Sequence, residues 1–404
     1  MPFSTIEEAI EEIRRGRIVI VTDDADRENE GDFIMAAEKC TPETMNLITR
    51  GRGIPCVATT AKRLNELQIP MMVNNNTARL GTAMGVMVDA LHGATTGISA
   101  YDRALTAKVF TDKDAKPDDL ARPGHVIPLR AEEGGVLRRA GHTEAAVDLA
   151  RLAGLYPAGV LCEIVGESGE MAKLPEIEEV AAKFDLKIIT VADLIQYRRR
   201  HEQLITRVAT TLLPTGKYGD FTVHAYTSQV EPHNIAAFVK GDLTDGEPAL
   251  VRMHSSCVTG DLIDSLRCDC GSQLQQALQM ISEAGRGALI YMEQEGRGIG
   301  LINKLRAYEL QEQGADTVEA NVMLGFKPDL RDYGVGAQVM ADLGLKKVRL
   351  MTNNPKKVIG IDGYGIEIVE EVPVSIPSNP YNERYLQTKA EKMGHIFRPE
   401  DITV

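Results

Sequence analysis

Ile18-Val19-Ile20-Val21-Thr22-Asp23-Asp24-Ala25-Asp26-Arg27-Glu28-Asn29-Glu30-Gly31-Asp32 changes character at Thr22. The first five residues are all β-branched and show no polar alternation. Such a run reads as a short buried strand that ends in an acidic run. A strand of this kind belongs to a sheet with helices packed on it, so the fold class is α/β. The flanking segments agree. Ser4 with Glu7 reads as the cap of an amphipathic helix that places Ile6, Ile10 and Ile13 on one face. Residues 43–50 and 143–152 have helical periodicity, and residues 54–60, 160–165 and 187–190 read as strands. Residues 194–200 end this half as a helix, where Arg198, Arg199 and Arg200 suit a C-terminus.

A chain of 404 residues exceeds one core, so two domains are expected. The charged stretch from Arg198 to Glu202 marks the boundary, giving domains 1–200 and 201–404. The second half has strands at 221–226, 236–240, 249–253, 289–292 and 348–350, with helices at 273–283 and 304–313. Each domain is expected to be α/β of the α+β type, a mixed sheet with packed helices. No apolar run approaches the ~18 residues of a membrane span. The acidic start is unlike a signal peptide. A net charge of −13 disfavours nucleic acid as a partner. It leaves room for a small phosphorylated ligand held by local cations. With thiols and no leader, a cytoplasmic setting is expected.

The run from Thr22 to Asp32 carries six carboxylates and one arginine. Such a density needs a cation, a basic partner or full solvation, so it is either a solvated loop or a magnesium site. Arg122-Pro-Gly-His-Val-Ile-Pro128 places His125 in a rigid turn. Arg138-Arg-Ala-Gly-His-Thr-Glu144 places His142 at a helix start, where amides can bind phosphate. Gly93-Ala-Thr-Thr-Gly-Ile-Ser99 is rich in hydroxyls and glycine. Together with Gly159-Val-Leu-Cys-Glu163, these motifs make residues 5–200 resemble 3,4-dihydroxy-2-butanone 4-phosphate synthase. The resemblance implies conversion of D-ribulose 5-phosphate to formate and 3,4-dihydroxy-2-butanone 4-phosphate, with Mg²⁺ or Mn²⁺. It implies Glu28 and His142 as metal ligands and His125 and Glu163 as catalytic residues. Arg27, Glu28, Asp32, Arg139, Ala140, Gly141, His142, Thr143 and Glu163 would contact substrate. Ala25, Gly85 and Met87 depart from the family's usual residues.

In the second half, Cys257, Cys268 and Cys270 fall within fourteen residues. Clustered thiolates suit zinc. With His254 as fourth ligand the site would be closed and structural. With three ligands it would keep a position for water or substrate and be catalytic. The His-x-Glu and Pro-Cys-x-x-Cys pairing of zinc deaminases is absent. Further on lie Gln294-Glu-Gly-Arg-Gly-Ile-Gly300, Lys327-Pro-Asp-Leu-Arg-Asp332 and Thr352-Asn-Asn-Pro-Lys-Lys357. With Thr259-Gly-Asp261 and Ser265-Leu-Arg-Cys-Asp-Cys-Gly271, these motifs make the chain from residue 205 onward resemble GTP cyclohydrolase II. That resemblance implies that Cys257, Cys268 and Cys270 hold Zn²⁺, whose water attacks the guanine imidazole carbon. Formate and pyrophosphate leave, with Mg²⁺ on the triphosphate, and 2,5-diamino-6-(5-phosphoribosylamino)pyrimidin-4-one remains. It implies Arg331 as nucleophile and Asp329 as proton acceptor. Arg252, Met253, His254, Ser255, Ser256, Gln273, Glu295, Gly296, Arg297, Thr317, Thr352 and Lys357 would bind GTP. Ser256 stands where the family usually has Glu, and Pro232 replaces an acidic residue. Together the resemblances imply a bifunctional riboflavin-biosynthesis enzyme that forms a homodimer. The alternatives are a chain with one live domain, or a zinc-stabilised GTP sensor without turnover.

Overall fold

The computed structural model describes residues 3–23, 27–228, 234–326, 329, 331, 333–354, 361, 364–374 and 376–393. The chain divides into two compact units, Met1–His201 and Glu202–Val404.

The first unit contains strands β1 (Val19–Thr22), β2 (Gly31–Ala36), β3 (Cys56–Thr60), β4 (Val88–Ala90), β5 (Leu120–Ala131), β6 (Ala158–Glu163) and β7 (Lys187–Thr190). They form one mixed sheet in the order β4-β5-β3-β6-β2-β1-β7. Alternation along the central strands feeds two cores. Ile20, Phe33 and Met35 pack on one face, and Val19, Val21, Ile34 and Ala36 on the other. Apolar residues on both sides explain why Ile18–Thr22 shows no polar alternation. Helices Ile6–Arg14, His142–Leu152 and Val191–His201 cover the second face.

The first helix starts one residue later than its sequence suggested. Thr5, not Ser4, is the N-cap, and its box partner is Glu8, not Glu7. Ser4 is held extended because its N–H donates to the Ile188 carbonyl at 2.8 Å. His125 lies in a strand and not in a free turn. The pairing of β4 with β5 passes from Asp89↔Ala121 to Val88↔Val126, so residues 122–125 bulge out of the ladder. Bulges of this kind re-aim side chains toward sites.

Arg198 lies in the last turn of helix Val191–His201, where a cation suits the C-terminus, and it is buried. Its NH1 donates to Asp148 Oδ2 at 2.8 Å and to the Gly134 carbonyl at 2.6 Å, joining two helices through a buried ion pair. Val136 N–H also donates to Asp148. A methyl at Gly135, whose φ is +63°, would lie 2.2 Å from that carboxylate. Removing one charge strands the other in low dielectric. Arg198→Met is therefore expected to destabilise this unit by about 3–5 kcal/mol. Asp148→Leu with Arg198→Met should restore most of the loss, as read from urea midpoints.

The second unit contains β8 (Ile205–Thr215), β9 (Gly219–Ser228), β10 (Asn234–Lys240), β11 (Ala249–Ser255), β12 (Gly287–Met292), β13 (Lys347–Met351) and β14 (Glu367–Val372). Their order is β14-β13-β11-β12-β10-β9-β8. The sheet is mixed. β11 runs parallel to β12 and β13, whereas β8, β9, β10 and β12 pair antiparallel. Helix Cys270–Ala284 covers one face through Ala277 and Ile281. Helix Gly334–Asp342 covers the other through Val335, Val339 and Met340. Among the described residues no helix is long and apolar enough to cross a membrane.

Candidate functional sites

In the first unit the described carboxylates of the acidic run, Asp23, Glu28, Glu30 and Asp32, are buried or half-buried, and residues 24–26 lie outside the described residues. Asp23, at the end of β1, accepts the backbone N–H groups of Glu28 and Glu30 at 3.1 and 3.0 Å and the Arg27 guanidinium at 2.8 Å. This turns the chain back into β2 and aims Glu28 at His142, the first residue of helix His142–Leu152. Glu28 Oε2 lies 3.6 Å and Asp32 Oδ1 3.8 Å from His142 Nδ1. Asp23, Glu28 and His142 each offer a ligand atom within 4.8 Å of the others. Asp23 was not singled out in the sequence because it is one of six similar carboxylates.

Register sets the next pair. β2 and β6 align Asp32 opposite Glu163. Burial raises the Asp32 carboxyl to about 7 despite the nearby His142, with Glu163 and Glu28 adding to the rise. Burial opposes charge on His142, but Asp32, Glu28 and Asp23 outweigh it and raise the ring to about 9. Gly141 sits beside two cations and the Glu144 carboxylate, whose Oε2 would lie 2.9 Å from a methyl there. A methyl there would lie 2.6 Å from Arg139 NH1 and 3.0 Å from Arg27 NH2. Arg27, Arg139 and the amides of His142 and Thr143 thus face one helix N-terminus, the geometry that binds phosphate. Ala140, beside them, is exposed.

His125 Nδ1 lies 2.7 Å from Asp89 Oδ2, and the His125 N–H donates to Asp89 Oδ1 at 2.9 Å. Asp89 orients the ring, a partner the sequence did not single out because it lies 36 residues away. Gly85 uses its N–H for the Pro128 carbonyl, and Met87 packs against the core. Ala25 lies outside the described residues.

In the second unit the carboxyl ends of the parallel strands β11, β12 and β13 converge. Their loops carry Ser256–Cys257, Glu295–Arg297 and Thr352–Asn354, which line one pocket. Ligands bind α/β sheets at such ends. Cys257, Cys268 and Cys270 meet within 4.8 Å, and among the described residues no fourth ligand joins them. His254 is instead held by Asp261, 3.1 Å from its Nε2. Asp261 also accepts the Cys257 N–H at 2.9 Å and the Tyr291 hydroxyl at 2.8 Å. Gly260 leaves the room the thiols occupy, since a methyl there would lie 3.1 Å from Cys268 and 3.2 Å from Cys257. Hydrogen bonds from Cys268 and Cys270, together with Lys304, lower the Cys257 thiol far below its ordinary value. Cys268 is raised to about 11 and Cys270 well above its usual range. Without metal the two neighbouring thiols and the Lys304 ammonium favour the charge on Cys257.

Lys304, not singled out in the sequence, donates to Cys257 Sγ at 3.0 Å and to Glu295 at 2.7 Å. Arg252, His254, Ser255, Ser256, Gln273, Glu295, Gly296, Arg297, Thr317 and Thr352 all line the pocket. Met253 is the exception. Strand alternation turns its side chain into the core, away from its neighbours Arg252 and His254. Ser256 is fixed by its N–H bond to the Met292 carbonyl, which does not depend on the side chain. Arg331 also lines the pocket and is gripped in bidentate fashion by Asp329 at 2.9 and 2.7 Å. Among the described residues, Arg297 NH1 and NH2 are buried without a hydrogen-bond partner, an arrangement that suits a bound anion. Lys357 and Pro232 lie outside the described residues.

Residues 7–197 match the family described as 3,4-dihydroxy-2-butanone 4-phosphate synthase, and residues 206–373 match GTP cyclohydrolase II. Riboflavin biosynthesis protein RibBA of Aquifex aeolicus is 56% identical over 399 residues, 98% of either chain. The protein of that name from Chlorobium phaeovibrioides is 57% identical, over 97% of this chain and 96% of its own. The chain belongs to the RibBA family of bifunctional riboflavin-biosynthesis enzymes. It combines a lyase and a hydrolase, and both act on small molecules. The crystal structure of RibBX, a two domain 3,4-dihydroxy-2-butanone 4-phosphate synthase from A. baumannii, is similar with a TM-score of 0.70 and 37% identity. That match covers 91% of this chain and 99% of the RibBX chain.

Proposed function

We propose that residues 1–200 form the synthase domain and residues 201–404 the cyclohydrolase domain, that both turn over, and that the residues above carry the chemistry. The observation that supports this best is the cysteine triad. Three thiols converge in a polar pocket with no fourth ligand among the described residues, while Asp261 holds His254. A structural zinc site would close its coordination with protein.

In the second domain, Zn²⁺ on Cys257, Cys268 and Cys270 would acidify a water molecule and so provide a nucleophile at neutral pH. Arg297 and Arg252 meet the triphosphate, whose charge a Mg²⁺ shares. Gln273, Glu295 and Ser256 face the base. Asp329 holds Arg331 as a guanidinium, its acidity weakened by the carboxylate despite burial. For Arg331 to act as nucleophile its proton must pass to Asp329, whose oxygens already touch Nε and NH2.

In the first domain, Glu28 and His142, joined by Asp23, would hold Mg²⁺ or Mn²⁺, which stabilises enediolate oxygens. Arg27 and Arg139 hold the substrate phosphate. Asp32, whose carboxyl burial raises to about 7, would exchange protons with the substrate, with Glu163 opposite it across β2 and β6. His125, oriented by Asp89, serves as a further proton carrier. A cytoplasmic setting suits six unpaired cysteines, three of them gathered as metal ligands. Exposed Leu262, Ile263 and Leu266 offer an apolar surface for a second copy in a homodimer.

The test is formate release by the purified chain with Zn²⁺ and Mg²⁺, from GTP and from ribulose 5-phosphate in separate reactions. Formate from both is expected. Formate from one alone would assign a single live domain. Tight GTP binding with no formate would replace the cyclohydrolase reading with a sensor.

A further inference from the structure

The match to the cyclohydrolase family ends at residue 373, yet the pocket does not. Helix Glu383–Met393 lies beyond that point. Its Lys389 ammonium donates to Asp269 Oδ1 at 2.6 Å, with 10% and 2% of the two side chains exposed. Asp269 is the residue between Cys268 and Cys270. It is also the N-cap of helix Cys270–Ala284, but its side chain makes no capping bond. Aspartate at that position ordinarily accepts a first-turn amide. Here both oxygens turn elsewhere, one to Lys389 and the other to Gln273 Nε2 at 2.7 Å. One turn earlier, the Tyr385 ring lies 6.0 Å from the Arg297 guanidinium and 4.6 Å from the Lys389 ammonium. Arg384 donates to the Gly314 carbonyl at 2.6 Å, and Lys392 to Glu319 at 2.9 Å, which fastens the helix beside Thr317–Met323.

We propose that this C-terminal helix is a wall of the GTP site and that Lys389 is a positioning residue for the metal ligands. Cysteines one residue apart converge only if the residue between them is held in a fixed, irregular conformation. Asp269, at φ −98° and ψ 4°, is that residue, and Lys389 is its charged anchor. Tyr385 extends the wall over Arg297. Partners of this kind orient ligands and set metal affinity. The proposal rests on the reading of the three cysteines as a zinc site.

The test uses the full chain with Lys389→Met and Lys389→Arg, titrated with Zn²⁺ against a chromophoric chelator. Lys389→Met is expected to weaken zinc about 10–100-fold and to lower GTP turnover comparably. Its Co²⁺ form should show a weakened thiolate charge-transfer band, and Lys389→Arg should recover most of each loss. Formate release from ribulose 5-phosphate should stay at the parent level, which reports an intact first domain, and a parent-like urea transition reports an intact second domain. If Lys389→Met misfolds, Asp269→Asn with Lys389→Met removes both charges together and is expected to bind zinc as weakly. Zinc affinity and GTP turnover within twofold of the parent, in either folded variant, would overturn the proposal. A parent chain that binds no zinc in the same titration would instead overturn the zinc reading on which it rests.

Discussion

Cys268→Ser abolishes zinc binding and GTP-dependent formate release while formate release from ribulose 5-phosphate continues. This is the largest effect expected of any single substitution in the second half. Two remaining thiols cannot complete a three-ligand site, and loss of the ion removes several kcal/mol of transition-state stabilisation, about 10³-fold or more in rate. The same site makes zinc uptake depend on pH. In the metal-free group Cys257 is favoured as the thiolate, whereas its neighbours raise Cys268 to about 11 and Cys270 above its usual range, which favours protons on both near neutrality. Zinc must displace both, so affinity is expected to rise up to about 100-fold per pH unit across neutral pH. Metal analysis after dialysis, with chelator titrations at two pH values, checks both statements. GTP-dependent formate at the parent rate in Cys268→Ser would falsify the zinc assignment.

His142→Asn is expected to have the mirror effect. Formate from ribulose 5-phosphate falls about 10³-fold or more, and formate from GTP is unchanged. His142 both contributes to the metal group and starts the helix that faces Arg27 and Arg139. Glu28→Gln should behave alike, since a neutral amide is a poor ligand for a hard cation. In the metal-free chain His142 is raised from 6.5 to about 9 and Asp32 from 3.8 to about 7. Both raised groups bind protons more tightly when folded. Their stabilising contribution is therefore full below about pH 4 for Asp32 and about 6.5 for His142. It is lost as pH rises through about 7 and about 9 respectively. Mg²⁺ must displace the His142 proton, so binding at pH 7 should release about one proton. Calorimetry in buffers of different ionisation enthalpy measures that number, and zero release would separate His142 from the metal.

Much of this architecture is legible in residue order alone. Ile18–Thr22 announces a buried strand because a β-branched run without polar alternation suits the interior of a sheet. The cysteine spacing announces a metal group because Cys257, Cys268 and Cys270 have no other evident use in so short a span. Motif resemblance names both chemistries. Other features left no local trace. Met253 sits among pocket-lining neighbours, yet strand alternation turns it into the core. His125 lies in a stretch rich in turn residues, yet a strand carries it as a bulge. Lys304 sits on a helix with no outward mark of its contact with Cys257.

What residue order determined by itself is which segments are buried and which stretches gather residue types that suit a metal or a phosphate. Those follow from local periodicity, charge density and spacing. Only the tertiary structure decided that Asp32 faces Glu163, that Asp89 orients His125 and that Asp261 takes His254 away from the cysteines. It also decided that Lys389, 120 residues from Asp269, reaches the turn between Cys268 and Cys270. The reason is physical. Periodicity reports how much of a segment is covered, but strand register and helix docking choose its partners, and that choice depends on packing the whole sheet at once.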